Sequence, residues 1–180
     1  MSTRLNLDGM DQRHRGLTPP VAASYQEAAS VCLSRHHTPP VTVLLSDNGH
    51  ESSADLMWTA PDARTEGAWA NETDATRDGA YACVIAGVEE ARGLFAVRRT
   101  ETGTGADYYV GPSGAGVHDL EDCIRLEISG VDAGDYRVIH TRLLGKVAQA
   151  KAGNSSLPAL AGVIGFSALL LMLRDVEDTP

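Results

Sequence analysis

The residues whose types and spacing could do chemistry are two carboxylates and a helix that follows them. Asp107 lies at the start of a run rich in Tyr and Val (residues 106–110), and Glu127 sits in a second apolar run (residues 123–128), with Ser129 two positions further on. A Gly/Pro/Ser/Asp segment of the kind that breaks strands separates the runs, so they are most simply a strand pair. Side chains alternate faces along a strand, which points Glu127 and Ser129 the same way. If the strands are neighbours, Asp107 and Glu127 converge on one hard cation, Mg2+ or Mn2+, because oxygen ligands suit such ions. Downstream, Arg142, Lys146 and Gln149 recur at i, i+4 and i+7 and share one helix face. Cations there could stabilise charge on a phosphate, although a solvated helix face is the commoner origin of such a stripe.

The elements that must position these groups follow from periodicity and punctuation. Residues 1–20 are polar and read as an irregular arm, either laid over the domain or disordered; residues 21–180 form one α/β domain. Pro19 and Pro20 introduce a helix over 21–35, ending at His36 and His37, where a cation suits the helix dipole and no second cluster offers metal-ligand spacing. A strand over 41–45, the turn Ser46-Asp47-Asn48-Gly49 and a return strand over 54–59 make a hairpin. Residues 60–73 read as a loop anchored by Trp69. A second helix spans 74–93 with Tyr81, Val84, Ile85 and Val88 on its apolar face. Glu89 flanks that stripe and Glu90 points away, which makes Glu89 the better site candidate, against the plainer reading of a surface glutamate. A strand over 94–100 precedes the two carboxylate strands. A turn at 130–134, a helix over 136–152 and the uncharged apolar run 157–173 complete the chain.

From residue 74 onward the order is helix, three strands, helix, strand. Together with an Asp at the start of one strand and a Glu midway along the next, this resembles the PD-(D/E)XK nuclease superfamily over residues 74–173. The resemblance implies an αβββαβ core, a mixed central sheet flanked by helices, here preceded by an N-terminal helix and hairpin. It further implies Mg2+-dependent hydrolysis of DNA phosphodiesters, alone or as a nuclease-like subunit of a DNA-processing or defence complex. In the superfamily pattern a Lys stands two residues after the Glu; this chain has Ser129, which cannot carry that charge. Lys146 is the substitute on the next helix. The implied site is then Asp107 and Glu127 as metal ligands, Ser129 and Lys146 completing the catalytic set, and Glu89, Arg142 and Gln149 positioning substrate. The missing lysine leaves a rival: a catalytically inactive nuclease-fold interaction protein in a larger complex that supplies DNA binding.

Composition bounds these readings. The chain of 180 residues, 43% apolar, suits one domain with a substantial core. A net charge of −9 argues against unaided nucleic-acid binding by the whole surface. Basic residues nevertheless cluster at Arg92, Arg98 and Arg99, and at Arg137, Arg142, Lys146 and Lys151. Cys32, Cys83 and Cys123 read as reduced thiols of a cytoplasmic protein, and a homodimer stays open. TGTG at 102–105 and GPSGAG at 111–116 lack a Walker lysine and read as turns, and no G-x-S-x-G elbow occurs. The 157–173 run reads as a buried strand, with a break around Phe166 and Ser167. Its length also admits a tail-anchored membrane helix, disfavoured by Pro158, Gly162 and Gly165.

Overall fold

Local signals in the sequence mark the ends of several elements of the computed structural model; the structure describes residues 3–177. Helix α1 spans Met10–Arg13. Helix α2 (Pro19–Ser34) begins with prolines in its first turn, where their missing N–H costs nothing. The short helix α3 is Ala63–Ala68. Helix α4 (Glu72–Arg92) is capped by the Asn71 side chain, which accepts the Asp74 N–H, and ends at Gly93 in the left-handed conformation (φ 62°). Helix α5 (Tyr136–Lys151) is capped by Asp135, which accepts the Val138 N–H. The strands are β1 (Thr3–Leu5), β2 (Val41–Asp47), β3 (His50–Leu56), β4 (Phe95–Arg99), β5 (Tyr108–Gly111), β6 (Ile124–Val131), β7 (Ala159–Gly165) and β8 (Leu170–Val176).

These eight strands form one mixed sheet in the order β1-β3-β2-β8-β7-β6-β5-β4. The hairpin β2–β3 turns at Asn48 and Gly49, both with positive φ, the geometry a two-residue hairpin requires. Strands β4, β5 and β6 are antiparallel neighbours, and β6 then pairs parallel with β7 through α5. Helices α2 and α4 cover one face, where Leu33, Ile85, Leu126, Leu160 and Ile164 form the main core. Helix α5 covers the other face, where Ile139 and Leu143 pack on Val131, Ala161 and Val163. Glycines set the helix-to-sheet distance on both sides. A Cβ on Gly162 would come 2.4 Å from the Val84 side chain, and one on Gly165 2.2 Å from Ile139.

The α/β class and mixed, helix-flanked sheet expected from sequence are what the structure has, and the order α4-β4-β5-β6-α5-β7 runs as expected. Four local expectations change. The stretch read as an irregular arm contains β1, paired parallel with β3, and α1; Leu5, Leu7, Met10 and Leu17 are buried in the main core. The return strand begins at His50 rather than 54, because the Asn48-Gly49 turn starts pairing at once. The 60–73 loop contains α3, and Trp69 donates from Nε1 to Glu27 Oε1 at 2.9 Å. The 157–173 run is no helix and no single strand: β7 and β8 pair antiparallel across a turn at 166–169, where Leu169 takes φ 50°. Among the described residues no helix is long and apolar enough to cross a membrane, which leaves the tail-anchor reading without its helix.

Candidate active site

The sheet places Asp107 and Glu127 side by side at the point where β5 ends its pairing. Strand β5 pairs only with residues 124–126 of β6, so the second half of β6 has β7 as its one strand neighbour. Asp107, just before β5, closes that gap. Its backbone N–H donates to Leu126 O at 2.8 Å, and its Oδ2 accepts the Ile128 N–H at 2.8 Å in place of a ladder bond. Its Oδ1 accepts the Tyr81 hydroxyl of α4 at 2.9 Å. The carboxylate is thereby fixed in rotation by two donors from different elements.

Glu127 is 2% exposed and projects to the α5 side of the sheet. Lys146 reaches it from α5: Nζ donates to Glu127 Oε1 at 2.6 Å and to Gln149 Oε1 at 3.1 Å. Ser129, on the same side of β6, accepts from Arg142 at 3.3 Å. Burial, followed by the charge of Asp107, pushes the Glu127 carboxyl up to about 7; Lys146 acts in the opposite direction and does not cancel them. Glu127 protonated can also hydrogen-bond Asp107, which adds to the upward shift. The site therefore holds more acid than its one lysine neutralises.

Two clefts meet at this pair. One, of about 790 Å3, runs from the start of α4 past Ser129 to Arg142 and Lys146; the other, of about 450 Å3, runs along the 99–106 segment to the end of α5. Asp107, Glu127 and Gln149 line both. Of the residues selected from sequence, Asp107, Glu127, Ser129, Lys146, Arg142 and Gln149 are brought together. Glu89 is not. It lies eight residues beyond Tyr81 on α4, about 12 Å along the helix axis. Its Oε1 accepts from Arg13 at 2.7 Å and its Oε2 from His14 Nε2 at 2.9 Å. Glu89 thus ties the N-terminal segment to α4, and a substrate-positioning role has no geometry behind it.

Two residues with a place in the site were not selected from sequence. Tyr81 counted only as part of an apolar stripe, yet a buried tyrosine must find a partner for its hydroxyl. That hydroxyl, pushed up to about 12 by burial and by Asp107, stays a proton donor to the carboxylate. Arg99 counted only as local basic character. Its guanidinium lies over the rings of Tyr81 and Tyr108, 4.9 Å from each centroid. Tyr108 in turn meets Tyr25, hydroxyl to hydroxyl, at 2.8 Å.

Among the described residues no group of three or more His, Cys, Asp and Glu side chains is placed to hold a metal ion. Mg2+ takes one or two carboxylates and fills its remaining positions with water and phosphate, so Asp107 and Glu127 are the residues that could hold one. No family model, curated protein or solved structure matches the chain.

Proposed function

We propose that this protein is a Mg2+-dependent phosphodiesterase acting on DNA, with Asp107 and Glu127 as metal ligands and Lys146 as the catalytic cation. The observation that supports this best is the convergence of the three groups from three separate elements, β6, α5 and the start of β5, on one cleft. Hydrolysis adds water to phosphorus and breaks the bond to the leaving sugar oxygen. A Mg2+ ion bound by the two carboxylates would make its water nucleophilic at neutral pH and draw charge from the phosphoryl oxygens.

The chain's own groups divide the remaining work. Tyr81 and the Ile128 N–H hold Asp107 in one orientation, so no reorganisation is needed on substrate arrival. Lys146, steadied by Gln149, presents its ammonium to the negative charge that develops on phosphorus-bound oxygen. Arg142, held by the Ser129 hydroxyl, contacts a phosphate in the same cleft. Ser129 thus serves as an anchor for a cation instead of supplying one.

The rival is a catalytically inactive protein of this fold whose partner supplies DNA binding, and the net charge of −9 favours it. One experiment separates the two: a Mg2+-dependent digest of single-stranded and duplex DNA by wild type, Asp107→Ala, Glu127→Ala and Lys146→Ala. Wild type is expected to cleave only with Mg2+ or Mn2+, and both carboxylate variants are expected to be inert. Equal cleavage by all four would identify a contaminating nuclease. Absence of cleavage by wild type selects the interaction protein.

A further inference from the structure

We propose that Arg99 is a DNA-phosphate contact, gripping the strand on the side of the Asp107/Glu127 pair opposite to Arg142. The inference rests on the phosphodiester reading of this site and adds to it a second anchoring point. Several cations of the protein are already neutralised: Arg13, Arg35, Arg77, Arg92, Arg98 and Lys146 each meet a carboxylate. Arg99 is exposed and forms no ion pair among the described residues, yet it is pinned by the rings of Tyr81 and Tyr108. Arg142 shares this condition, held by a serine hydroxyl. Each lines one of the two clefts that meet at the acid pair.

The acids around Arg99 are otherwise engaged. Glu101 in the adjoining segment accepts from Arg98 and from the Tyr109 hydroxyl. Asp107 accepts from Tyr81 and the Ile128 N–H. The C-terminal end of α5 faces the same cleft, and its negative pole would repel a phosphate. Buried Arg125 covers that pole, donating to Ala150 O at 3.1 Å and to Thr104 O at 2.6 Å. Arg99 also hydrogen-bonds toward the Tyr81 and Tyr108 hydroxyls, and the planar fork of this exposed residue matches phosphate oxygens in pairs. Because the rings already hold the side chain, little rotamer freedom is lost when a phosphate arrives.

The test is binding of a fluorescein-labelled DNA oligonucleotide in EDTA, followed by anisotropy over a range of KCl concentrations. Wild type is compared with Arg99→Ala, with Arg99→Met, which keeps an unbranched stem against the rings, and with Arg174→Ala, an exposed arginine of β8 outside both clefts. Thermal melts of the same variants identify any that fail to fold. Loss of Arg99 is expected to weaken binding about tenfold in both variants and to lower the slope of log K against log salt by about one. Arg174→Ala is expected to bind as wild type does. Folded Arg99 variants with the wild-type affinity and slope, an equal loss in Arg174→Ala, or no binding by wild type would each overturn the proposal. Wild type that binds through Arg99 but cleaves nothing with Mg2+ leaves this contact standing and removes the phosphodiesterase reading. Cleavage with no Arg99 effect on binding does the reverse.

Discussion

Helix α4 meets one charged cluster at Tyr81, in its middle, and another at Glu89, near its C-terminal end, and the two are built on opposite plans. At Glu89 the account is closed: one carboxylate oxygen takes Arg13 and the other takes His14. His14, fully buried, accepts the Ala96 N–H at Nδ1, so its proton sits on Nε2 facing Glu89. At Tyr81 the cluster is open, with two adjacent carboxyl groups, one lysine, and Glu127 pushed up to about 7 by burial and by Asp107. Both clusters draw on three or more elements and both lie partly out of solvent. The Glu89 cluster satisfies itself and ties the N-terminal segment to the fold, whereas the Asp107/Glu127 cluster is the one the proposed function calls on.

The comparison breaks most easily at Lys146. Lys146→Ala should lower Mg2+-dependent cleavage by about a hundredfold to a thousandfold, the usual cost of losing a transition-state contact. It should leave Tm little changed, because Glu127 can protonate when its partner goes. A steady-state rate equal to wild type would move Lys146 out of the mechanism.

At the closed cluster the sign of the result inverts. Glu89→Ala should cost about 2 kcal/mol of stability, since it removes two charge-assisted bonds and leaves buried His14 without its acceptor. The cleavage rate of the folded variant should match wild type. Denaturant unfolding beside the activity assay reads both, and a stable but inactive Glu89→Ala would restore the glutamate to the site.

A smaller effect is expected at the join between site and scaffold. Tyr81→Phe keeps the ring under Arg99 and removes one of the two donors that orient Asp107. It should reduce kcat by about tenfold, near the value of one hydrogen bond, with KM less affected. An unchanged kcat would mean the Ile128 N–H alone suffices.

The two clusters should also respond oppositely to pH in metal-free protein. Glu127 has a folded pKa raised from 4.5 to about 7, so the native state holds the extra proton in that window. Its contribution to stability therefore falls as pH rises from 4.5 to 7. The pKa of His14 is lowered from 6.5, chiefly by burial, so the unfolded state binds the extra proton and its contribution falls as pH drops below 6.5. Melting curves of wild type and Glu127→Gln across pH 5 to 8 isolate the first term as their difference. A difference that grows in the opposite direction would contradict the assignment.

Much of the open cluster was legible in the sequence because its parts obey local periodicities. Period-two alternation put Glu127 and Ser129 on one face, and helical spacing put Arg142, Lys146 and Gln149 together; the contacts among them follow. What local pattern could not reveal depends on distant partners. Strand β1 is three residues long and pairs with residues 54–56, so no run of alternation marks it. The β7–β8 turn at 166–169 has no Gly, Pro, Asn or Asp, and its left-handed residue is Leu169; a break was visible there, but not a reversal. Glu89 lies outside the site; helical angle gives a direction and says nothing of what the chain brings to meet it. Tyr81 carries no such sequence signal, because its ring counts as apolar while its hydroxyl makes the contact to Asp107.

The central claim, that Asp107 and Glu127 form a cation site held short of charge, is tested most directly by calorimetric titration of Mn2+ and Mg2+ into the protein at pH 6 and pH 8. One cation is expected to bind, more tightly at pH 8, where Glu127 has released its proton. Glu127→Gln and Asp107→Asn should abolish that binding, and Glu89→Gln should leave it intact. Binding that is indifferent to pH and survives both carboxylate substitutions would contradict the claim, as would no binding by wild type at pH 8.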